Sequence, residues 1–383
     1  MSTALWIALK NVEGMGIKTI KKLYLQFPKL SRHHFYTHGD FLRNIIKNSK
    51  ILDRILDKDY FNNKIIDAEN QIKYHNSKGI EVVDIASDYY PRLLRFIDDP
   101  PVVLYCMGNL ELLKDDRKIA IVGTRKPTDM GYKAAMKISN QFCKRDFIIV
   151  SGLAIGIDTA GHIGALNSGG KTIAVLAGSL DKIYPKVNTE IAASILNKHG
   201  LLISETPLGE NTYRNSFVKR DRIQSGISLG VCPVQTPLKG GTQHTINFAQ
   251  NQDRLLFCPE PLESKDIEAT QGIYYLLEKQ IAKKISKESD YGNIIILLAE
   301  VLNNLIEKNN NNPYKMSALV DDCKNNEISG EQLSFFNSNK IDERTKSMEY
   351  ELDSYLLKII EVCKKLGMNE DQLIKRIKLL KNK

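Results

Sequence analysis

Two hydrophobic rhythms divide the chain. Through residues 1–85 apolar positions recur with helical spacing and no strand pair stands out, which predicts a small helical domain, and its Gly14-x-Gly16 turn between two helices suits a helix-hairpin-helix or SAM-like unit. Across residues 86–265 the rhythm becomes short apolar runs at 119–122, 147–150, 172–176, 201–204, 229–234 and 254–258. Each is β-branched or Leu-rich, as strands buried on both faces of a parallel sheet must be. The segments between them, such as 131–145 and 188–198, are long enough for crossover helices. Strands alternating with helices predict an α/β fold, a doubly wound and mostly parallel sheet. Residues 266–312 read as a helical extension ending in an Asn-rich linker, and 313–383 as a C-terminal helical region.

In such a sheet ligands bind beyond the carboxyl ends of the strands, so those loops hold the candidate chemistry. The first is Gly123-Thr124-Arg125-Lys126, and the second runs from Ser151-Gly152 through Gly156 to Asp158 and into a helix. Small residues there expose backbone N–H groups at a helix N-terminus, with hydroxyls from Thr124 and Ser151 and a cation from Arg125. Either a phosphate or close strand–helix packing explains the glycines. In the third loop Asn188 is placed to cap the next helix, Pro185 stiffens the approach, and Tyr184 either stacks on a base or packs.

The segment Phe217-Val218-Lys219-Arg220-Asp221-Arg222 sets three cations beside an aromatic, and Lys239-Gly240-Gly241-Thr242 closes the series. Arginine suits bidentate phosphate contacts and phenylalanine suits stacking on an unpaired base, while a surface ion-pair helix is the other reading. Neither a Walker A motif nor a G-x-G-x-x-G fingerprint occurs, which argues against ATP hydrolysis and NAD binding. Near the N-terminus, Gly14-Met15-Gly16 is either a phosphate-approaching turn or a plain tight one.

Charge narrows the partners. Lys and Arg number 54 against 45 Asp and Glu, a net +9 that favours polyanions, nucleic acid first. From residue 355 onward eight Lys/Arg face three Asp/Glu, on either a solvated helix face or a nucleic-acid- or partner-binding tail. Six cysteines lack metal-ligand or disulfide-framework spacing, so no metal is expected, and free thiols suit a cytoplasmic location. No apolar run reaches the roughly 18 residues of a membrane span.

Ile121-Val122-Gly123-Thr124-Arg125, the 151–158 loop, Ala174-Val175-Leu176 with Asp181, Tyr184-Pro185 and Asn188, and Ser204-Glu205 with Pro207 and Gly209 match a family pattern in order and spacing. Over residues 87–262 the chain thereby resembles the DNA-processing protein A (Smf) family. The resemblance implies an extended Rossmann-like fold and a homodimeric, non-enzymatic protein without cofactor that binds single-stranded DNA, protects it and helps load the RecA recombinase during DNA uptake. Arg125 matches the arginine of the family's Gly-Ser/Thr-Arg motif, and Phe217, Arg220 and Arg222 match its Phe-x-x-Arg-Asn-Arg motif. The expected DNA contacts are Gly123, Thr124 and Arg125, then Ser151, Gly152 and Gly156, then Phe217, Lys219, Arg220 and Arg222, and finally Lys239 and Thr242.

Three departures stand out. Asp221 replaces the usual Asn between the arginines, Gln235 stands where an acidic residue commonly ends the fifth strand, and residues 240–245 replace a Ser-Gly-x-x-x-Thr-Ala pattern. The alternative is a nucleotide-binding sensor or a phosphoribohydrolase-like enzyme of the same Rossmann-like group. Gly240-Gly241-Thr242 is similar to the loop of those hydrolases, but 244–247 is His-Thr-Ile-Asn without their Glu, leaving Glu205 and Asp181 as candidate carboxylates.

Overall fold

Alternation along the strands sets the layers. In β3 (Lys118–Val122), Ile119 and Ile121 join one core with Phe142, Ala160 and Leu298, while Ala120 and Val122 join another with Ile223 and Ile246. Successive side chains of a strand point to opposite faces, so a strand without polar alternation must be covered on both. The computed structural model describes residues 2–31 and 39–310; the predicted region 313–383 lies outside the described residues.

Among the described residues nine strands form the sheet in the order β1-β2-β6-β5-β4-β3-β7-β8-β9. The six apolar runs are β3, β4 (Ile148–Ser151), β5 (Thr172–Leu176), β6 (Leu201–Ser204), β7 (Gly230–Pro233) and β8 (Leu255–Pro259), and neighbouring members pair in parallel. Crossover helices Asp129–Cys143, Ile157–Asn167 and Thr189–Asn197 join β3 through β6, and helix Arg214–Gly226 returns the chain to β7.

Three strands depart from the hydrophobic reading. β1 (Glu81–Asp84) lies where the pattern predicts helix alone, and it pairs antiparallel with β2 (Val103–Gly108), which pairs antiparallel with β6. Glu-Val-Val-Asp is too short to register a period of two. β9 (Lys283–Ile285) has one apolar residue and owes its conformation to parallel pairing with β8. The expected helical extension is therefore helix Glu268–Glu278, β9 and helix Glu288–Asn310, whose Tyr291, Ile294, Leu298 and Leu305 are buried. Asn309 and Asn310 belong to that helix instead of a linker, and Asn309 Nδ2 donates to Leu305 O at 2.7 Å.

The N-terminal helices continue the core of β1 and β2. Trp6 is fully buried, edge-on to Tyr24 at 6.2 Å, and Thr3 Oγ1 donates to Asp84 Oδ2 at 2.6 Å. Asp57 caps helix Lys58–Ser77 by accepting from Asp59 N and Tyr60 N. Near the end of that helix, His75 Nε2 accepts from Leu208 N at 2.9 Å while Nδ1 lies 2.7 Å from Gln71 O. This pairing requires the Nδ1–H tautomer and ties the helix to the loop after β6. No helix among the described residues is long and apolar enough to cross a membrane.

Candidate nucleic-acid interface

From β3 the sheet proceeds through β4, β5 and β6 on one side and β7, β8 and β9 on the other. The crevice beyond the carboxyl ends of β3 and β7 is thus the topological switch point. A groove of about 1960 Å³ lies there. The loop after β3 supplies Gly123, Thr124 and Arg125, the loop after β7 supplies Lys239, the start of helix Thr242–Asn251 supplies Thr242, and helix Arg214–Gly226 supplies Phe217, Arg220 and Asp221.

Arg220 is the buried cation of this groove. Its Nη1 donates to Val175 O at 2.8 Å and its Nε to Asp221 Oδ1 at 3.1 Å. A Cβ on Gly152 would stand 1.6 Å from Arg220 Nη1, so glycine is what admits the guanidinium. Gly156 has φ +85°, and a Cβ there would meet Thr124 O at 2.5 Å. Both glycines serve close packing, and only Gly152 lines a concavity, the recess beneath the groove.

The predicted anion site of the 151–158 loop is already used internally. Gly152 N and Ala154 N donate to Asp158 Oδ2 at 3.1 and 3.4 Å. Burial pushes the Asp158 carboxyl up to about 6, opposed by Arg220 and reinforced by Asp221. Asp221 is also raised by burial, against the opposing pull of Arg220 and His244. Ser151 is not a rim donor: its hydroxyl is buried and donates to Ile121 O at 2.7 Å. Asn188 does not cap its helix, since its Nδ2 donates to Leu153 O at 2.8 Å and Thr159 Oγ1 at 2.9 Å, binding the third loop to the second.

The arginine segment is helical, and that separates its cations. Residues two apart on a helix point about 200° from each other. Phe217, Asp221 and Gln224 therefore line the groove, while Ser216, Lys219 and Arg222 line a cleft on the opposite flank. Arg222 is buried in ion pairs, Nη2 with Glu205 at 2.6 Å and Nε with Asp99 at 3.2 Å. Lys219 and Arg222 thus lie outside the predicted groove, as do Asn11 and Ile17 beside the Gly14-x-Gly16 turn, which line the same cleft.

At the groove mouth the Arg125 guanidinium lies 5.6 Å from the Phe217 ring centre, and Tyr184 meets Phe217 edge-on at 5.8 Å. Tyr184 is 60% exposed. Below them a recess of about 510 Å³ is lined by Lys182, Tyr184, Phe217 and Arg220. Arg214 and His244, which lie outside the motifs that single out the other site residues, also line the groove. Arg214 sits one helical turn before Phe217, a spacing that would have found it. Gln235 lies behind the groove: its Nε2 donates to Thr128 Oγ1 and Glu263 Oε2, and its main-chain O accepts from Thr124 N at 2.8 Å. It steadies the Thr124 loop, and Glu263 brings a carboxylate to it.

The family described as DNA recombination-mediator protein A matches residues 81–295, more than half of the chain. Protein Smf of Synechocystis is 34% identical over 278 residues, 72% of this chain and 68% of that protein. The chain belongs to this family. DNA processing protein DprA of Bacillus subtilis is 40% identical over 184 residues, 48% of this chain, and the match spans 62% of the Bacillus protein's length. Among solved structures, DNA processing protein A of Streptococcus pneumoniae aligns with TM-score 0.53 and 31% identity, covering 70% of this chain and 94% of that one. DNA processing protein A of Helicobacter pylori, reported for that protein's single-stranded DNA binding mode, aligns with TM-score 0.51 and 30% identity, covering 57% of this chain and 95% of that one. The doubly wound fold of this family member is thus shared with DNA-processing proteins.

Proposed function

We propose that this chain is a single-stranded DNA-binding protein that uses the switch-point groove, with phosphates on Arg125, Arg220 and Lys239 and bases against Phe217 and Tyr184. The observation that carries this reading is the Arg125–Phe217–Tyr184 cluster over the buried Arg220. An aromatic platform beside cations suits unpaired bases, because every base has a π-face and duplex DNA hides it. The single-stranded DNA binding mode of the Helicobacter pylori relative supports the same ligand.

The test is a titration of labelled single strands and duplex at several salt concentrations. Single strands should bind more tightly, with log K falling against log[salt] by about 0.7 per phosphate contacted. Tight duplex binding without single-strand preference overturns the reading.

The same proposal assigns no catalysis. The groove carboxylates are engaged: Asp158 accepts loop amides and Asp221 holds Arg220. Glu205 pairs with Arg222 in the cleft. Incubation with nucleoside mono- and triphosphates should release neither base nor phosphate, and sustained turnover would favour the hydrolase. Passage of the strand to RecA during DNA uptake belongs to the same proposal, and the family's description as a DNA recombination mediator supports a part in recombination. A homodimer is the expected state, which light scattering measures. A cytoplasmic site of action accords with the buried, free thiols of Cys106, Cys143, Cys232 and Cys258.

A further inference from the structure

The flank of helix Arg214–Gly226 opposite the groove faces the N-terminal helices across a cleft of about 1420 Å³. Lys10, Asn11 and Ile17, which bracket the Gly14-Met15-Gly16 turn, contribute to its lining from the N-terminal side. The chemistry of this lining is that of nucleotide recognition. Side-chain amides of Asn11, Asn211 and Asn215 offer paired donors and acceptors to base edges, and Gln71, whose Nε2 donates to Tyr105 Oη at 2.9 Å, offers its Oε1, while Lys10 and Lys219 offer charge to phosphates.

Two further observations point to a ligand here. Arg222 lines this cleft, and its Nη1 is buried without an acceptor among the described residues, although Nε and Nη2 are paired. An unpaired buried donor is costly, and a phosphate or carbonyl oxygen at the cleft wall would satisfy it. Arg220 borders the groove, the recess and the cleft alike, so the concavities meet at one side chain. At the N-terminal end of the helix Arg214 lines the groove, while the adjacent Tyr213, 65% exposed, lines the cleft. A strand leaving the groove at Arg214 has only this helix end to cross, with the Tyr213 ring available for stacking.

We propose that the cleft is a second subsite for the same single strand, holding the nucleotides that leave the groove over the N-terminal end of helix Arg214–Gly226. The proposal rests on the groove reading above. The cleft lining sets Lys10, Lys219, Arg220 and Arg222 against Asp99, Glu205 and Glu210, one positive charge in excess, and with Arg222 held by Asp99 and Glu205 it is Lys10 and Lys219 that supply the attraction for backbone phosphates.

Oligothymidylates of about 5 and about 15 nucleotides separate the two concavities, since the short one fills the groove alone. Both are titrated against the wild-type chain, Lys10→Gln/Lys219→Gln and Arg125→Ala. Each single-strand phosphate contact changes affinity about fivefold per decade of salt, so the double variant should bind the long strand about 25-fold more weakly near 0.1 M salt. Its salt slope should fall by about 1.4, while its affinity for the short strand stays at the wild-type value. Arg125→Ala should weaken both lengths. Unchanged long-strand affinity and slope in the double variant, or equal losses on both lengths, overturns the second subsite. If Arg125→Ala affects neither length, the groove reading fails and the second subsite with it.

Discussion

Replacing Gly152 with Ala tests Arg220 without touching it. The new Cβ would lie 1.6 Å from Nη1, 2.3 Å from Cζ and 2.7 Å from Nη2 of Arg220, whereas ordinary contact begins near 3.4 Å. The guanidinium must retreat by about 1.8 Å, far enough to break its 2.8 Å bond to Val175 O and its 3.1 Å bond to Asp221. Hydrogen bonds to charged groups contribute about 1.5–3 kcal/mol each, so losing the phosphate contact of Arg220 should weaken strand binding by about 10- to 150-fold. Gly241→Ala is the matched control: it lines the same groove, and a Cβ there meets nothing within 4 Å. That variant should stay within about 0.5 kcal/mol of wild type. Fluorescence anisotropy with a labelled oligothymidylate measures affinity, and urea unfolding confirms that both variants are folded. Equal affinities for two folded variants would mean that Arg220 does not touch the strand.

Asp221→Asn keeps an oxygen acceptor for Arg220 Nε while removing a charge from the groove lining. At about 6 Å and an effective dielectric near 20 the repulsion of a phosphate is roughly 3 kcal/mol, reduced several-fold by solvent and salt, so single-strand binding should tighten about two- to tenfold at low salt; weaker binding would show that the carboxylate orients the arginine. Because burial lifts Asp158 to about 6 from an ordinary 3.8, the folded chain holds that proton more tightly than the unfolded one. Its stabilisation is full below about pH 4 and disappears as pH rises through about 6, a change of about 2–3 kcal/mol that urea midpoints should reveal and Asp158→Asn should flatten. Glu205→Gln leaves buried Arg222 with Asp99 alone and should lower stability by about 2 kcal/mol; an unchanged urea midpoint would show that the pair contributes nothing net.

The sheet interior was legible in the sequence because a strand covered on both faces must be mainly apolar, and β3 to β8 are, with Lys118, Ser151, Thr172 and Ser204 confined to strand ends. Gly123 and Arg125 were legible for a different reason, since loops after parallel strands converge at the switch point whatever their contents, and Phe217 was legible as an aromatic set beside three cations. Tertiary structure alone decided which loop groups remain free. Ser151 and the amides of Gly152 and Ala154 have the composition of an anion site, yet Ile121 and Asp158 already occupy them, and those partners come from packing. The arginine pair was separated by helix geometry, which sends Arg222 to Asp99 and Glu205 while Arg220 reaches Val175. β1 and β9 carry too few apolar residues to announce themselves, since a sheet edge is selected by the hydrogen bonds its neighbour offers. The sequence determined which side chains could be buried together; only the folded chain decided which polar groups find partners there, because those partners lie far apart along it.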